Sequence, residues 1–365
     1  MKPNIPLDIK ALADIFHNNG KSLYIVGGFN RDFLMGYEPK DIDLATDSLP
    51  DETISFLSDK YDIDLVGKSF GVVIIKNSSD KIEIASFRKD VTSGRKPEIE
   101  LVSSINVDCQ RRDITISAIY YDIIKEEFID IVDGINDINS KIIKMVGEPD
   151  ARISEDPLRI LRVPRFMHRY NFALDNVTSK AISKNKGLIN TLSRDRISQE
   201  LVKAFEQAKN YSQYLEFFNE FDMWDQIFPG LKINTEIKDT KYIETYFANL
   251  FKFVDSSKLL FKLKNEYKLT EKIDPRQIVF LLDLLSLSYD NALELYKKKV
   301  VSNITVDMIL EWYRINNISS SMFVKFLDYK PSVNTEELMQ QGFLGKELGD
   351  MIKKLERESF ISLVG

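Results

Sequence analysis

Two aspartates separated by one residue are the first feature of the chain that indicates chemistry. Asp41 and Asp43 are followed directly by the apolar residues Leu44 and Ala45. Residues i and i+2 of a strand share a face, so both carboxylates would point the same way at short separation. Because like charges held this close repel one another unless a cation joins them, the pair predicts a metal site.

The ligands that the chain offers restrict the metal. The sequence contains two histidines, His17 and His168, and one cysteine, Cys109. A site built from several histidines is therefore excluded, and carboxylate oxygens favour magnesium. We expect Asp41 and Asp43 to hold two Mg²⁺ ions, which would activate an attacking hydroxyl and neutralise the charge developing on a phosphoryl group and pyrophosphate.

A further acid lies in the apolar run Ile82–Ile84. The side chain of Glu83 would point to the face of the strand opposite the two isoleucines. It is either a third carboxylate on the metal face or an outward polar residue. The sequence leaves both interpretations open, so Glu83 is not included in the predicted metal set.

A glycine pair precedes the aspartates. Gly27 and Gly28 follow the apolar run Leu23–Val26, and Arg31 and Asp32 come next. Glycines let the backbone approach a ligand closely, and the N–H groups at a helix start can hold phosphate oxygens, which the Arg31 guanidinium would join. By itself this pattern also fits a plain turn with a surface salt bridge. The neighbouring aspartates favour a triphosphate site.

Four polar residues recur at intervals of three, beginning just before Pro157. They are Asp156, Arg159, Arg162 and Arg165. A step of three turns about −60° around a helix, so the four would follow one broad side. Such a stripe is usually a solvated face paired with acids, but beside the motifs above it predicts a nucleotide-facing surface. Pro164 should kink this helix.

These residues need elements that hold them. Short β-rich runs, separated by glycine turns and short helices, predict an α/β unit with a small sheet in the first 145 residues. The runs are Leu23–Val26, Ile42–Ala45, Val72–Lys76, Lys81–Phe87 and Phe128–Val132. A helix through Ile114–Tyr121, which Asp113 would cap, is also expected.

From Asp150 onward, apolar residues recur every three or four positions and no strand is evident. The clearest examples are Arg152–Tyr170, Asn176–Ser183 and Arg196–Gln207, with turns expected at Asn185–Gly187 and Phe228–Gly230. We therefore expect a head over residues 1–145, a helical neck over 146–207, and a helical body and tail over 208–365.

Composition excludes several classes of protein. The net charge of −6 argues against indiscriminate coating of nucleic acid but not against a local basic groove. No apolar run approaches the ~18 residues of a membrane span, and the N-terminus lacks the build of a signal peptide. A lone cysteine, interpreted as a small buried residue, fits a reducing compartment, so a cytoplasmic location is expected.

Three motifs in sequence order resemble those of class II tRNA nucleotidyltransferases and bacterial poly(A) polymerases of the polymerase-β superfamily. The resemblance covers residues 20–205. The motifs are Gly27-Gly-Phe-Asn-Arg31-Asp32 with Asp41-Ile-Asp43, then Arg111-Arg112-Asp113-Ile-Thr-Ile-Ser117-Ala118, then Glu155-Asp156-Pro-Leu-Arg159-Ile-Leu-Arg162-Val-Pro-Arg165-Phe166. Ser117 stands where the family has asparagine, which puts the local packing of the second motif in doubt.

The resemblance implies roles for these residues. Arg112 and Asp113 would bind the phosphates and ribose of the incoming nucleotide. Asp156 and Arg159 would hydrogen-bond the base edge and so select cytosine and adenine, whose exocyclic amines suit a carboxylate acceptor. Arg162 and Arg165 would extend the positive wall toward the triphosphate or primer. The implied fold is a polymerase-β-like α/β head with a small mixed sheet, followed by an all-α neck, body and tail.

The implied reaction is template-independent addition of CCA to the tRNA 3′ end from CTP and ATP, with tRNA as partner and no obligate protein partner evident. CC-only addition, A-only addition, poly(A) tailing and a catalytically dead RNA-binding protein are the alternatives. The segment Lys89–Gln110, which is shortened in CC-only enzymes, retains Arg95-Lys96-Pro97 and favours full CCA addition.

Two basic or glycine-rich segments remain outside these roles. The lysines of Tyr296–Lys299 are interpreted as a solvated helix face, although they could contact phosphate. Gly342–Gly349 either presents a helix N-terminus to phosphate or is a turn into a C-terminal amphipathic helix.

Overall fold

The structure is a computed structural model that describes residues 2–39, 41–76, 81–91, 98–269 and 273–364. The chain divides into two compact units, Met1–Leu192 and Ser193–Gly365. The first unit contains every strand that the structure describes, and the described elements of the second are all helical.

The first unit is built on a seven-stranded sheet with the order β3-β4-β5-β2-β1-β8-β9. Strands β2 and β5 run parallel, and the other neighbouring pairs are antiparallel. The predicted mixed sheet is therefore confirmed. The strands of this sheet are β1 Leu23–Val26, β2 Asp43–Thr46, β3 Asp62–Asp64, β4 Val72–Lys76, β5 Lys81–Ser86, β8 Tyr120–Asp122 and β9 Glu127–Ile129. Two further pairs of strands lie outside it: β6 Arg88–Asp90 with β7 Ile99–Leu101, and β10 Ile142–Ile143 with β11 Ala173–Leu174.

The described residues of this unit form eight α-helices. They are α1 Leu7–Asn18, α2 Gly28–Leu34, α3 Pro50–Leu57, α4 Ile105–Gln110, α5 Gly134–Ser140, α6 Pro149–Glu155, α7 Arg159–Tyr170 and α8 Asn176–Asn185. Short 3₁₀ helices cover Lys68–Phe70, Thr115–Ser117 and Lys186–Thr191. The last of these occupies the position of the predicted Asn185–Gly187 turn, which was therefore wrong.

Both faces of the central strand β1 are buried. Leu23 and Ile25 pack in a cluster that includes Phe16 of α1, whereas Val26 packs in a second cluster with Cys109 of α4. Alternate residues of a strand point to opposite faces, so β1 must be apolar throughout. Helices on each face thus fix the strand whose end carries the glycine turn.

The predicted helix Ile114–Tyr121 was wrong. Only the 3₁₀ turn Thr115–Ser117 is helical, and β8 follows it and pairs with β1. Tyr120 and Tyr121 are both fully buried. Aromatic residues suit a central strand packed on two faces, and this tertiary environment overrides the local helical spacing.

The predicted helix Arg152–Tyr170 was also wrong in its continuity. It is two helices, α6 and α7, separated at Asp156, whose φ of −142° and ψ of 96° are extended. Pro157 disfavours helical geometry in the residue before it, which explains the break. Asp156 therefore lies outside the helix that carries Arg159, Arg162 and Arg165, and the four do not form one helical stripe.

The other differences concern strands. β2 begins and ends one residue later than predicted, β5 ends one residue earlier, β9 is shorter, and β3, β6, β7, β8 and β10 were not predicted. The two-residue β11 pairs in parallel with β10, although no strand was expected after Asp150.

The second unit consists of helices around an aromatic core. Trp312, Tyr214 and Phe247 are among its largest fully buried side chains. Its helices are α9 Arg194–Gln207, α10 Tyr211–Glu220, α11 Trp224–Ile227, α12 Ile243–Leu250, α13 Ser256–Phe261, α14 Pro275–Leu284, α15 Ala292–Ser302, α16 Val306–Ile315, α17 Ser321–Asp328, α18 Thr335–Gln340 and α19 Gly345–Val364, with a π-helical turn at Lys262–Glu266. Within the described ranges, no helix has the length and apolar character needed to cross a membrane.

The start of α5 generates a stability prediction. A Cβ on Gly134 would lie 2.4 Å from the Thr115 carbonyl oxygen, whereas a Cβ on Gly187 would meet nothing within 4 Å. Gly134→Ala should therefore force the backbone apart and cost about 1–3 kcal/mol of unfolding free energy. Gly187→Ala is the matched control and should be close to neutral. Urea denaturation followed by circular dichroism measures both, and equal stabilities of the two variants would contradict the packing argument.

Candidate active site

The glycine turn brings the first predicted residues together. Val26, the last residue of β1, pairs with Asp43, the first residue of β2. Gly27 follows with a φ of +73°, and a Cβ on it would lie 3.6 Å from Asp43 Oδ2 and 3.9 Å from Arg112 Nη1. Glycine is therefore suited to this position by both conformation and space. Gly28 begins α2 beside the Arg31 guanidinium.

The acidic side chains form an exposed group at the end of the sheet. Asp41, Asp43 and Glu83 are all exposed, and β2 and β5 are adjacent strands. Desolvation raises the pKa of Asp43, and the charges of Glu83 and Asp41 raise it further, against the opposing charge of Arg112. The negative charge of Asp43 is thus disfavoured in the protein alone, as expected for a carboxylate that a cation would stabilise.

The donor set fits a divalent cation held jointly with a substrate. Within the described part of the chain, no group of three or more His, Cys, Asp or Glu side chains is placed to hold a metal ion. Magnesium commonly takes only one or two protein carboxylates and completes its shell with water and substrate phosphates. The pair Asp41 and Asp43 meets that requirement without a third protein ligand.

Arg31 is held more tightly than predicted. Its side chain is 5% exposed and lies with its guanidinium 4.8 Å from the centre of the Tyr170 ring. Nε donates to Asp32 Oδ1 at 2.9 Å, and Nη1 donates to Ser117 Oγ at 3.0 Å. Arg31 therefore links α2 to the second motif and to α7. The serine that replaces the family's asparagine supplies an acceptor for this link.

Arg112 is positioned by a buried acid that the sequence analysis missed. Asp108 is fully buried and accepts from Arg111 Nε at 2.8 Å, Arg112 Nη2 at 3.2 Å and the Tyr120 hydroxyl at 2.6 Å. Arg112 Nε also donates to the Tyr120 oxygen at 2.9 Å. Burial opposes ionisation of Asp108, but the two guanidinium groups outweigh it and hold its pKa below the ordinary value.

Asp113 joins the second motif to α7. Its two carboxylate oxygens accept from Arg159 Nε at 2.9 Å and Arg162 Nη2 at 2.6 Å. Although burial opposes it, these arginines hold the pKa of Asp113 below its ordinary value. The sequence predicted that Asp113 caps a helix. That prediction was wrong, because the residue before the 3₁₀ turn is Ile114.

Arg159 is buried against the second motif. It is 5% exposed, and besides Asp113 it donates to the Arg152 carbonyl at 2.6 Å and to the Arg111 carbonyl at 3.2 Å. The predicted contact of Arg159 with a base requires some of these bonds to be exchanged. Asp156 is half-buried at the break between α6 and α7, where its carboxylate accepts from the Leu158 N–H at 3.2 Å.

Arg162 and Arg165 differ in their environments. The Arg162 side chain is 33% exposed and pairs with Asp113. Arg165 is 6% exposed, and its guanidinium lies 4.4 Å from the centre of the Phe166 ring. The structure thus brings Asp113, Arg159 and Arg162 together, but it does not present the three arginines of α7 as one open wall.

Two other features complete the comparison with the sequence. Asp108 could have been found from its position three residues before Arg111 and four before Arg112, which allows both ion pairs on one helical turn.

Cys109 is fully buried, and burial raises the pKa of its thiol to about 11, which agrees with the predicted inert role. Residues 92–97, which include the predicted Arg95-Lys96-Pro97, lie outside the described residues.

The mixed sheet, the glycine turn and the paired aspartates define a nucleotidyltransferase of the polymerase-β type, a class that generally uses divalent metal ions. Residues 23–144 match the family model of the poly A polymerase head domain, and residues 171–234 match that of the probable RNA and SrmB- binding site of polymerase A. The chain belongs to the family of tRNA nucleotidyltransferases and poly(A) polymerases.

Similar proteins include two relatives and one solved structure. The CCA-adding enzyme of Ligilactobacillus salivarius is 28% identical, over 97% of this chain and 93% of that protein. Poly(A) polymerase I of Salmonella typhimurium is 29% identical, over 68% of this chain and 54% of that protein. The structure of the Bacillus stearothermophilus CCA-adding enzyme in complex with CTP shares the fold, with a TM-score of 0.71 at 22% identity, covering 97% of this chain and 92% of that chain.

The buried Asp108 generates a prediction about nucleotide binding. Asp108→Asn removes the charge that holds Arg112, so the affinity for a nucleoside triphosphate, measured by calorimetry, should fall roughly tenfold, the effect of losing one charge-assisted hydrogen bond. Tyr120→Phe, which removes only the hydroxyl, should have a smaller effect in the same direction. The matched control is Asp59→Asn, an exposed acid elsewhere in the unit. Unchanged triphosphate affinity in a folded Asp108→Asn variant would refute the positioning role.

Proposed function

We propose that this protein adds C, C and A in turn to the 3′ end of tRNA, using CTP and ATP and releasing pyrophosphate. The observation that carries the proposal is the juxtaposition of the Gly27 turn, Asp43 and Arg112, in a chain of this family. Binding and transfer of a nucleoside triphosphate require a backbone that can approach the phosphates without a side chain in the way. They also require an acidic pair that can hold metal ions, and a cation beside the phosphates.

The extent of similarity favours CCA addition over poly(A) tailing. Similarity to the CCA-adding enzyme of Ligilactobacillus salivarius extends over 93% of that protein, whereas similarity to the poly(A) polymerase stops at 54% of its length. The chain therefore has counterparts for most of the length of that CCA-adding enzyme. Full CCA addition is therefore the proposal, and CC-only addition, A-only addition and tailing are the alternatives.

Asp41 and Asp43 are the proposed catalytic residues and ligands of two Mg²⁺ ions. When bound, magnesium supplies charge neutralisation at the phosphoryl group and the pyrophosphate and lowers the pKa of the attacking hydroxyl. The protein contributes the orientation of the triphosphate: the backbone at Gly27 and Gly28 approaches it, and Arg112 is held toward the same place by Asp108. Arg31 supports the start of α2 and neutralises nearby charge.

Nucleotide choice is proposed to depend on Asp113, Asp156 and the arginines of α7. A carboxylate accepts from the exocyclic amine that cytosine and adenine share, and a guanidinium donates to the adjacent ring acceptor. Since Asp113 and Arg159 bind one another in the structure, entry of a nucleotide would exchange part of this pair for contacts with ribose and base. Arg162 and Arg165 would contribute positive charge along the same helix.

The proposed division of labour follows the predicted segments. Residues 1–145 would carry out transfer, 146–207 would select the nucleotide, and 208–365 would bind folded tRNA through its phosphates. A location in the cytoplasm is part of the same proposal.

Removing either catalytic carboxylate should abolish transfer. Asp41→Asn and Asp43→Asn should each lower the rate at least a hundredfold while tRNA still binds, because the backbone and basic residues that hold the RNA are untouched. Asp62→Asn, which alters an exposed acid on β3, is the matched control and should be fully active. The assay uses tRNA ending at the discriminator base with Mg²⁺ and CTP, ATP or both, with products resolved at one nucleotide.

The lengths of the products in this assay also separate the alternative activities. Addition of C, C and A only when both nucleotides are present supports the proposal. Extension that stops after two C residues, addition of A only to tRNA ending in CC, or a long ladder with ATP alone each identifies a different member of the family. No extension under any condition would contradict the catalytic proposal.

Asp156→Asn should relax the choice of base. An amide offers both a donor and an acceptor, so the preference for CTP and ATP over UTP and GTP should fall roughly tenfold. Asp150→Asn is the control, because Asp150 is an exposed acid of α6, the helix that ends just before Asp156, and it pairs with Lys184. Competition assays with mixed triphosphates measure the ratio. If the ratio were unchanged while overall activity fell, Asp156 would have no part in selecting the base.

A further inference from the structure

The second unit contains a cavity of about 380 Å³ that the proposed transfer reaction does not use. Its lining residues come from the α13 region, α14 and α15. Half are apolar and half are cationic, and none is acidic: Leu260, Val279, Phe280 and Val301, with Lys264, Arg276, Lys297 and Lys298. Lys297 and Lys298 belong to the lysine run of α15 that the sequence analysis interpreted as a solvated face.

Exposed apolar residues also adjoin the lining residues in sequence. Val301 is 62% exposed, and the chain neighbours of two lining residues, Phe261 and Val300, are 64% and 63% exposed. Large apolar side chains exposed in one place usually mark a site that another molecule covers. A small molecule filling the cavity alone would leave Phe261 and Val300 in water, so an extended occupant is favoured.

Two of the four cations are already neutralised. Lys298 pairs with Asp283 and Glu294, both at 2.8 Å, and Arg276 pairs with Asp274 at 2.7 Å. In the described part of the unit, Lys264 and Lys297 form no ion pair, and both are exposed. Little positive charge is therefore available to a bound molecule, and that charge lies among the apolar residues that line the cavity.

This balance favours a protein segment over RNA. A polyanion needs a continuous row of cations along its phosphates, and here three carboxylates lie among the cationic residues. A peptide that places an apolar side chain in the cavity and a carboxylate at each unpaired lysine would match both the apolar lining residues and the two free cations.

We propose that this cavity, with the exposed residues Phe261, Val300 and Val301, is a docking site for an acidic amphipathic segment of a partner protein. An apolar anchor of the partner occupies the space between Val279, Phe280 and Val301. Acidic residues on either side of that anchor pair with Lys264 and Lys297. The proposal is independent of the transfer reaction and does not require the active site.

The test uses the full chain and a defined probe. A fluorescein-labelled peptide carries Leu and Phe four residues apart, with one Asp and one Glu flanking them and Ser or Ala at most other positions, and anisotropy measures its binding. We expect saturable binding that weakens about tenfold or more in Val301→Asp and in Lys297→Glu, as is usual for an anchor residue and its flanking charge. Lys330→Glu, a change at another exposed lysine of the unit, should bind as the unaltered protein does.

Matched probes and competitors give the other outcomes. Replacing Leu and Phe of the peptide with Ser should abolish binding, and so should exchanging its acids for Lys. Val301 and Lys297 are exposed, so both variants should fold, which circular dichroism checks, and their binding of tRNA is measured in parallel. The proposal is overturned by absent peptide binding or by equal binding to all variants. It is also overturned if these variants lose only tRNA binding, or only self-association in sedimentation.

Discussion

The ion pair between Asp113 and Arg159 is the interaction on which the site depends most. It joins two sequence segments 46 positions apart and brings α7 against the second motif. Removing one partner of a buried charge pair commonly costs about 3–5 kcal/mol, because the remaining charge stays buried without compensation. Arg159 also donates to the backbone carbonyl of Arg111, so the pair orients the main chain of the motif as well as one side chain.

The same segment is held from its other side by a second buried carboxylate. Asp108 binds the guanidinium groups of both arginines that precede Asp113. The three residues Arg111, Arg112 and Asp113 are thus fixed between acids and bases from α4 and α7. The buried charges of this site are tolerated because each one is paired with an opposite charge and makes directional hydrogen bonds. Among the described residues of the site, the acidic group around Asp43 keeps uncompensated negative charge, and that group is the one proposed to hold the metal.

Much of the head could be predicted from local patterns. β1, β4 and β5 were found because their runs of apolar residues are bounded by glycine or polar turns. β3 was missed because two of its three residues, Asp62 and Asp64, are acids at the edge of the sheet. β8 was missed because its identity depends on pairing with β1, a contact between residues almost a hundred positions apart. The break at Asp156 was predictable, since the effect of Pro157 on its predecessor is local.

The site was predicted better in its membership than in its arrangement. Residue type and spacing identified Asp43 and Gly27, and the resemblance to the family implied Arg112. The structure places the three together. Residue type and spacing could not indicate that Arg159 is buried, because that depends on which acids fold beside it. Helical spacing states which residues share a face, whereas the face that is covered is decided by the rest of the chain.

Ser117 shows how a departure from a family pattern can be absorbed. An asparagine offers a donor and an acceptor, whereas a serine hydroxyl retains an acceptor in less volume. Here the neighbouring cation uses that acceptor, since Arg31 Nη1 donates to Ser117 Oγ and its guanidinium lies over the Tyr170 ring. The hydrogen bond and the cation–π contact connect α2, the 3₁₀ turn and α7, which are the three elements that carry the motifs. The substitution therefore changes the chemistry of one acceptor while the connection that aligns the glycine turn with α7 is kept.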